Sequence, residues 1–185
     1  MIETSIDGVD LRLETAPTLF SPRAVDKGTL AMLSQASIAP GAKVLDLGCG
    51  YGVVGILAAK RGARVWMLDK DPAAVALARA NAAANGVDAV VVQSDGFREF
   101  GEAGFDLILC NPPYQADFAV PKHFIEKGFN RLLLGGRMAM VTKRELWYRN
   151  KLAAIFGGVT VRHVDGYVVF QAIKKRAAYA NRTAG

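Results

Sequence analysis

Cysteine and histidine are scarce in this chain: two of each, Cys49, Cys110, His123 and His163. A disulfide framework uses more cysteines at closer spacing, and a zinc site needs three or four such ligands within reach of one another. Both are excluded as organising features, and two reduced, buried thiols in a cytosolic protein are expected. Long apolar runs are also missing. The stretch 53–59 is stopped by Lys60 and Arg61, well short of the roughly 18 residues of a membrane-spanning helix. Met1-Ile2-Glu3-Thr4 has neither the basic start nor the apolar core of a secretory signal. There are no internal repeats and no low-complexity linker. A cytoplasmic protein without membrane contact is the expectation.

What is present suits a folded domain. The 185 residues are 51% hydrophobic and 22% charged, and a chain of this size buries roughly 70% of its unfolded surface without staples. Net charge is +6 and the isoelectric point about 9.5, which favours a polyanionic partner. The basic residues thicken toward the end: Lys143, Arg144, Arg149, Lys151, Arg162, the run Lys174-Lys175-Arg176, and Arg182.

Residues 1–15 alternate in polarity around Asp7-Gly8, a hairpin signature. A loop with Pro17 and Pro22 leads to a short helix over 28–36. From residue 43 the pattern becomes strand, helix, strand, helix. Strands are predicted at 43–47, 64–68, 89–93, 105–110 and 137–142, and helices at 52–61, 118–134 and 144–156. A further helix starts at Asp71-Pro72 and stops at Asn85-Gly86. Strands 159–164 and 167–173, joined by Asp165-Gly166, form a second hairpin. The predicted fold is α/β: a Rossmann-like, seven-stranded, mostly parallel sheet with a C-terminal antiparallel hairpin and helices on both faces. One domain is expected, comprising an N-terminal hairpin and helix (1–40), a catalytic core (41–176) and a tail (177–185).

Ligands of such sheets bind beyond the carboxyl ends of the strands. After the first core strand comes Asp46-Leu47-Gly48-Cys49-Gly50-Tyr51-Gly52. Its alternating glycines permit a tight turn and close backbone approach, and the following helix offers free N–H groups. Gly50, Gly52 and Gly55 also satisfy GxGxxG, with Asp69 near the spacing of a ribose-binding acid, so a nicotinamide dehydrogenase stays open on this segment alone. Asp46 and the additional Gly48 lean away from it. Asp69 ends the next strand and is placed to accept ribose hydroxyls, whereas Asp71 reads as a helix cap. In Ser94-Asp95-Gly96-Phe97, Asp95 is placed to accept from an adenine amino group and Phe97 to pack on the ring; a plain Asp-Gly loop with a core Phe is the alternative. Asn111-Pro112-Pro113-Tyr114 follows the fourth strand. Its prolines stiffen the loop, the Asn111 oxygen and Pro112 carbonyl can converge on one amino group, and Tyr114 offers a stacking face.

Together these motifs resemble a class I S-adenosylmethionine-dependent methyltransferase. The resemblance covers about residues 15–175. It implies S-adenosylmethionine as cofactor, held by Asp46, Gly48, Cys49, Gly50, Gly52, Asp69, Asp95, Gly96, Phe97 and Asn111. Asn111, Pro112 and Tyr114 match the (N/D/S)PP(Y/F/W/I) motif of enzymes that methylate amino groups on planar nitrogens. Leu19-Phe20-Ser21 with Val25-Asp26-Lys27-Gly28-Thr29 is similar to the entry segment of the small-methyltransferase domain of ribosomal RNA guanine-N2 methyltransferases. That likeness implies that Phe20 and Thr29 line the cofactor's methionine end. The expected activity is amino-methylation of RNA, at guanine N2 of ribosomal RNA, without a metal. Two departures are visible: those bacterial enzymes carry a further degenerate domain for which this chain has no room, and the motif here continues Tyr114-Gln115. Tyr at that place is also typical of adenine-N6 and glutamine methyltransferases, so protein glutamine methylation remains an alternative.

Overall fold

The computed structural model describes residues 1–114 and 117–179. A separate two-stranded antiparallel sheet comes first, β1 (Ile2–Ile6) and β2 (Val9–Leu13). Asp7 and Gly8 both take positive φ, 48° and 77°, as the tight hairpin turn requires. Then follow α1 (Lys27–Gln35), β3 (Lys43–Leu47), α2 (Val53–Lys60), β4 (Arg64–Asp69), α3 (Pro72–Ala84), β5 (Ala89–Gln93), β6 (Phe105–Cys110), α4 (Ala119–Arg131), β7 (Leu132–Thr142), α5 (Glu145–Phe156), β8 (Thr160–Val164) and β9 (Tyr167–Ile173).

The main sheet has seven strands in the order β5-β4-β3-β6-β7-β9-β8. β5 through β7 are parallel; β9 pairs antiparallel with both β7 and β8. The predicted fold class holds. Side chains alternate between two cores, as the period of a strand demands. Val44, Leu107 and Leu109 face α1, α2 and α3, while Leu45, Ile108 and Cys110 face α4 and α5. Asp46 shares the face of Val44. The hairpin is fixed to α3 through backbone groups: Asn81 Oδ1 accepts from Glu14 N at 2.8 Å, and Asn85 Oδ1 from Arg12 N at 3.1 Å.

Two predicted boundaries are corrected. α4 ends at Arg131 rather than Leu134, and β7 begins at Leu132 rather than Arg137. Three successive leucines carry no period that separates helix from strand. What decides is pairing: Leu132 aligns with Phe105 across a register shift, and Gly135 N and Gly136 O bond Lys174 O and Lys174 N. The basic run 174–176 divides, with Lys175 and Arg176 exposed and Lys174 not. Lys174 is buried, its ammonium donating to Leu132 O at 3.0 Å and lying over the Phe129 ring. Part of the predicted tail, 180–185, lies outside the described residues.

The chain winds from β3 outward to β4 and β5, then returns to β6 on the other side of β3. The strand order therefore reverses between β3 and β6, where open α/β sheets leave a crevice. Leu47 and Cys110 are register partners, so the loops after β3 and β6 emerge side by side.

Candidate active site

A cavity of about 840 Å³ opens above those strand ends. Its volume lies in the range of small-molecule and cofactor sites. The loop after β3 forms its floor. Gly48 and Gly50 have φ of 73° and 55°, and a Cβ at either would meet nothing within 4 Å. The turn thus leaves open space on the cavity side that any other residue would begin to fill. The Gly48 and Cys49 N–H groups both donate to Leu68 O at 2.8 Å, which fixes the loop to β4.

Asp69, at the end of β4, uses each carboxylate oxygen once on backbone. Oδ2 accepts from Gly50 N and Oδ1 from Asp71 N, both at 2.9 Å. Each oxygen keeps a lone pair for a further donor, as a ribose diol would supply. Asp71 caps α3 as expected, accepting from Ala73 N. Asp46 is buried, and its Oδ2 accepts from Gly55 N at 2.9 Å inside the first turn of α2. Burial pushes its carboxyl up from 3.8 to about 7, partly countered by the Gly55 bond and reinforced by nearby Asp69. The Cys49 and Cys110 thiols are buried and free, and burial raises both pKa values. They are poor candidates for nucleophiles. No cluster of metal-ligating side chains exists among the described residues.

The adenine-side prediction divides. Asp95 and Gly96 line the cavity, with the Asp95 carboxylate at 3.2 Å from Arg98. Phe97 does not line it: its side chain is buried in the α4/α5 core under Arg131 and beside His123. Gly52 is likewise behind the floor, at the N-cap of α2, where a Cβ would press on Ile56 and Ala78. Sequence reasoning missed His123. Its Nε2 accepts from Phe97 N at 3.1 Å. Because an amide only donates, that nitrogen is unprotonated and the ring is neutral. Burial and Arg98 lower its pKa accordingly.

The opposite wall comes from the loop before α1 and from the segment after β6. Phe20, 73% exposed, stands at the mouth. The Tyr51 hydroxyl donates to Ser21 O at 3.0 Å and ties that loop down. Asn111 Nδ2 donates to Asp26 Oδ2 at 2.9 Å and to Thr29 Oγ1 at 3.1 Å. Asp26 Oδ2 also accepts from Thr29 N at 2.9 Å as the N-cap of α1. Asp26 is a second missed residue; an acid three positions before Thr29 is a capping signal but carries no hint of Asn111. Pro112 lines the cavity, and Tyr114, 84% exposed, stands at the rim with the Arg144 guanidinium 5.4 Å from its ring. The structure therefore gathers Phe20, Thr29, Asp46, Gly48, Cys49, Gly50, Asp69, Asp95, Gly96, Asn111, Pro112 and Tyr114 around one cavity, and leaves Gly52 and Phe97 behind it.

A glycine-floored cavity at the strand-order reversal, an acid on the neighbouring strand and a Pro-stiffened Asn loop are the features on which the methyltransferase resemblance rests, and residues 10–171 match the family model of the methyltransferase small domain. The chain belongs to that family. This small methyltransferase domain is 32% identical over 179 residues to ribosomal RNA small subunit methyltransferase C of Pseudomonas putida (strain F1), covering 93% of this chain and 54% of the relative. It is 35% identical over 182 residues to the protein of the same name from Chromohalobacter salexigens, covering 94% and 54%. The chain thus spans about half the length of the relatives it matches. Among solved structures it resembles a T. thermophilus 16S rRNA N2 methyltransferase in complex with AdoMet and guanosine. There the TM-score is 0.88 at 31% identity, covering 95% of this chain and 50% of that one. A methyltransferase from Pyrococcus furiosus shares the fold, with TM-score 0.74 at 19% identity and 90% of each chain covered. Membership of this family sets aside the dinucleotide reading of Gly50, Gly52 and Gly55.

Proposed function

We propose that this chain is an S-adenosylmethionine-dependent amino-methyltransferase whose acceptor is guanine N2 in ribosomal RNA, acting in the cytoplasm. The observation that carries the chemistry is the orientation of Asn111. Its NH₂ is taken up by Asp26 and Thr29, so its Oδ1 is the group left to face an acceptor. An exocyclic amino group is a weak nucleophile because its lone pair is delocalised. Asn111 Oδ1 and the Pro112 carbonyl each accept one of its N–H groups, which draws the nitrogen toward a tetrahedral shape and aims the lone pair. Tyr114 offers its exposed face to the base plane.

The residues present fit the cofactor. Gly48 and Gly50 keep a backbone cradle that a Cβ would narrow, Asp69 holds two spare lone pairs for ribose hydroxyls, and Asp95 and Gly96 border the adenine end. When bound, S-adenosylmethionine supplies an electrophilic sulfonium methyl. The protein's part is alignment, worth up to about 7–11 kcal/mol in well-oriented systems. The amino proton leaves to water after transfer. A base within a duplex must first be turned out of the stack, at a cost of a few kcal/mol. The AdoMet and guanosine named with the T. thermophilus relative support this choice of cofactor and base.

A labelled-methyl assay on cell extract tests it. Label lost to ribonuclease and recovered as N2-methylguanosine is the expected result. Recovery as N6-methyladenosine corrects the base and keeps the chemistry. Label that survives ribonuclease and disappears with protease defeats the RNA assignment in favour of glutamine methylation.

A further inference from the structure

An asparagine that must present oxygen to its substrate can equally well present nitrogen, since its amide is nearly symmetric in shape. A site that depends on Asn111 Oδ1 needs something to forbid the flipped amide. We propose that Asp26 is a positioning residue for the transfer reaction, holding the Asn111 amide with its oxygen toward the acceptor. This rests on the amino-methylation reading above.

The argument is one of donors and acceptors. A carboxylate has nothing to donate, so only the NH₂ of Asn111 can face Asp26 Oδ2 at 2.9 Å. The flipped amide would set oxygen against carboxylate oxygen at that distance. The carboxylate is itself immobilised. The same Oδ2 accepts from Thr29 N in the first turn of α1, where free helix N–H groups favour negative charge. Thr29 Oγ1 takes the second Asn111 hydrogen at 3.1 Å. Gly28 makes room for the arrangement. A Cβ there would lie 2.9 Å from Asp26 Oδ2 and 2.9 Å from Tyr167 Cε1, so glycine lets the start of β9 close on the α1 terminus beside the carboxylate. A helix cap alone would need only the bond to Thr29 N. The bond to Asn111 is additional, and it spans 85 positions of sequence.

Substitutions on each side of the pair test the assignment. Asn111→Asp places carboxylate against carboxylate and is expected to lower kcat by about 100-fold or more. Asp26→Ser keeps a helix cap but is too short to reach Asn111; it should lower kcat by about tenfold while cofactor Kd stays within about threefold. A readout free of turnover is the side-chain NH₂ signal of Asn111 in nitrogen-15 NMR, identified by its loss in Asn111→Asp. Slow solvent exchange of that signal in the native protein, lost in Asp26→Ser, is expected. A kcat left within about twofold of native by Asp26→Ser, or an exchange rate unchanged by that substitution, overturns the proposal. If the native protein transfers no methyl group to any extract fraction, the functional reading fails, and the exchange measurement still decides the role of Asp26.

Discussion

Asp46 shows how a single buried carboxyl links the site to pH. In the folded chain it holds its proton up to about 7, against 3.8 ordinarily, chiefly because burial penalises its charge. Between those values unfolding releases a proton, so stability falls as pH rises from about 4 to 7, by at most about 1.4 kcal/mol per pH unit, and levels off above. Asp46→Asn keeps an acceptor for Gly55 N and removes the ionisation. The variant should match the native protein near pH 4 and exceed it in melting temperature at pH 8, as thermal unfolding at the two pH values would show. Equal pH dependence of the two proteins would refute the assignment of the buried charge. Asp69 and Asn111 differ from it in what they contribute. Asp69 anchors Gly50 and Asp71, and under the proposed function it meets the cofactor in ground and transition states alike. Asp69→Ala is therefore expected to raise the cofactor Kd by roughly 10- to 100-fold, in line with losing hydrogen bonds to a charged group. Under the same reading Asn111 acts where the nitrogen reshapes, so Asn111→Ala should leave Kd nearly unchanged and lower the rate by on the order of 100-fold, about 3 kcal/mol. Calorimetry and single-turnover kinetics separate the two effects.

At the scale of elements, α4 sets the position of the loop after β5. His123 projects from α4 and accepts from Phe97 N, while Phe97 itself is packed in the core below. His123→Ala leaves that N–H without its partner and should weaken cofactor binding several-fold with little change in saturated rate. His123→Gln supplies a side-chain oxygen in its place and should restore binding. Because the ring's pKa lies below 6.5 through burial and Arg98, with Lys127 acting likewise and Asp95 and Glu126 opposing, the bond is intact above 6.5. It is lost as pH falls through the lowered value, where N–H would face N–H. Binding titrations across that range should show an acidic decline in the native protein and none in His123→Gln. This element also shows where the sequence was legible. Asp7-Gly8, Asp71-Pro72, Asn85-Gly86 and Asp165-Gly166 are local signals, and the elements they bound lie where expected. Asp46, Asp69 and Asn111 were legible because each stands at the end of an apolar strand in an alternating series. Phe97 lies in the core because it stands in the turn after β5, where no strand period fixes which way a side chain points. His123 and Asp26 act through contacts between distant segments, which no local pattern announces.

Under the proposed function, part of the molecule's positive charge meets RNA, and the structure separates the candidates by position. β7 runs toward the site and β9 runs away from it, so the two ends of the basic C-terminal third lie at opposite ends of the sheet. Lys143 and Arg144 follow the end of β7 and line the cavity, with the Lys143 ammonium over the Tyr167 ring at 4.9 Å. Arg149 continues the basic face along α5, its guanidinium 3.7 Å from Glu145. Lys174 follows the far end of β9, beside Gly136 at the opposite end of the strands, and is committed to Leu132 O. Lys175 and Arg176 are exposed at that same end. Net charge alone does not separate these groups, but phosphate contacts do, because each releases counterions from the nucleic acid. A single strand held through three phosphates would show a log–log salt slope of about −2, or roughly 20-fold weaker binding between about 50 and 200 mM salt. Lys143→Ala should weaken binding to a single-stranded ribosomal RNA fragment and flatten that slope by about 0.7, the share of one phosphate. Lys175→Ala, remote from the cavity, should leave both affinity and slope unchanged. Filter binding of the three proteins over a salt series measures both quantities at once. A slope flattened by Lys175→Ala and not by Lys143→Ala would place the RNA at the far end of the strands and detach it from the cavity, against the proposed function.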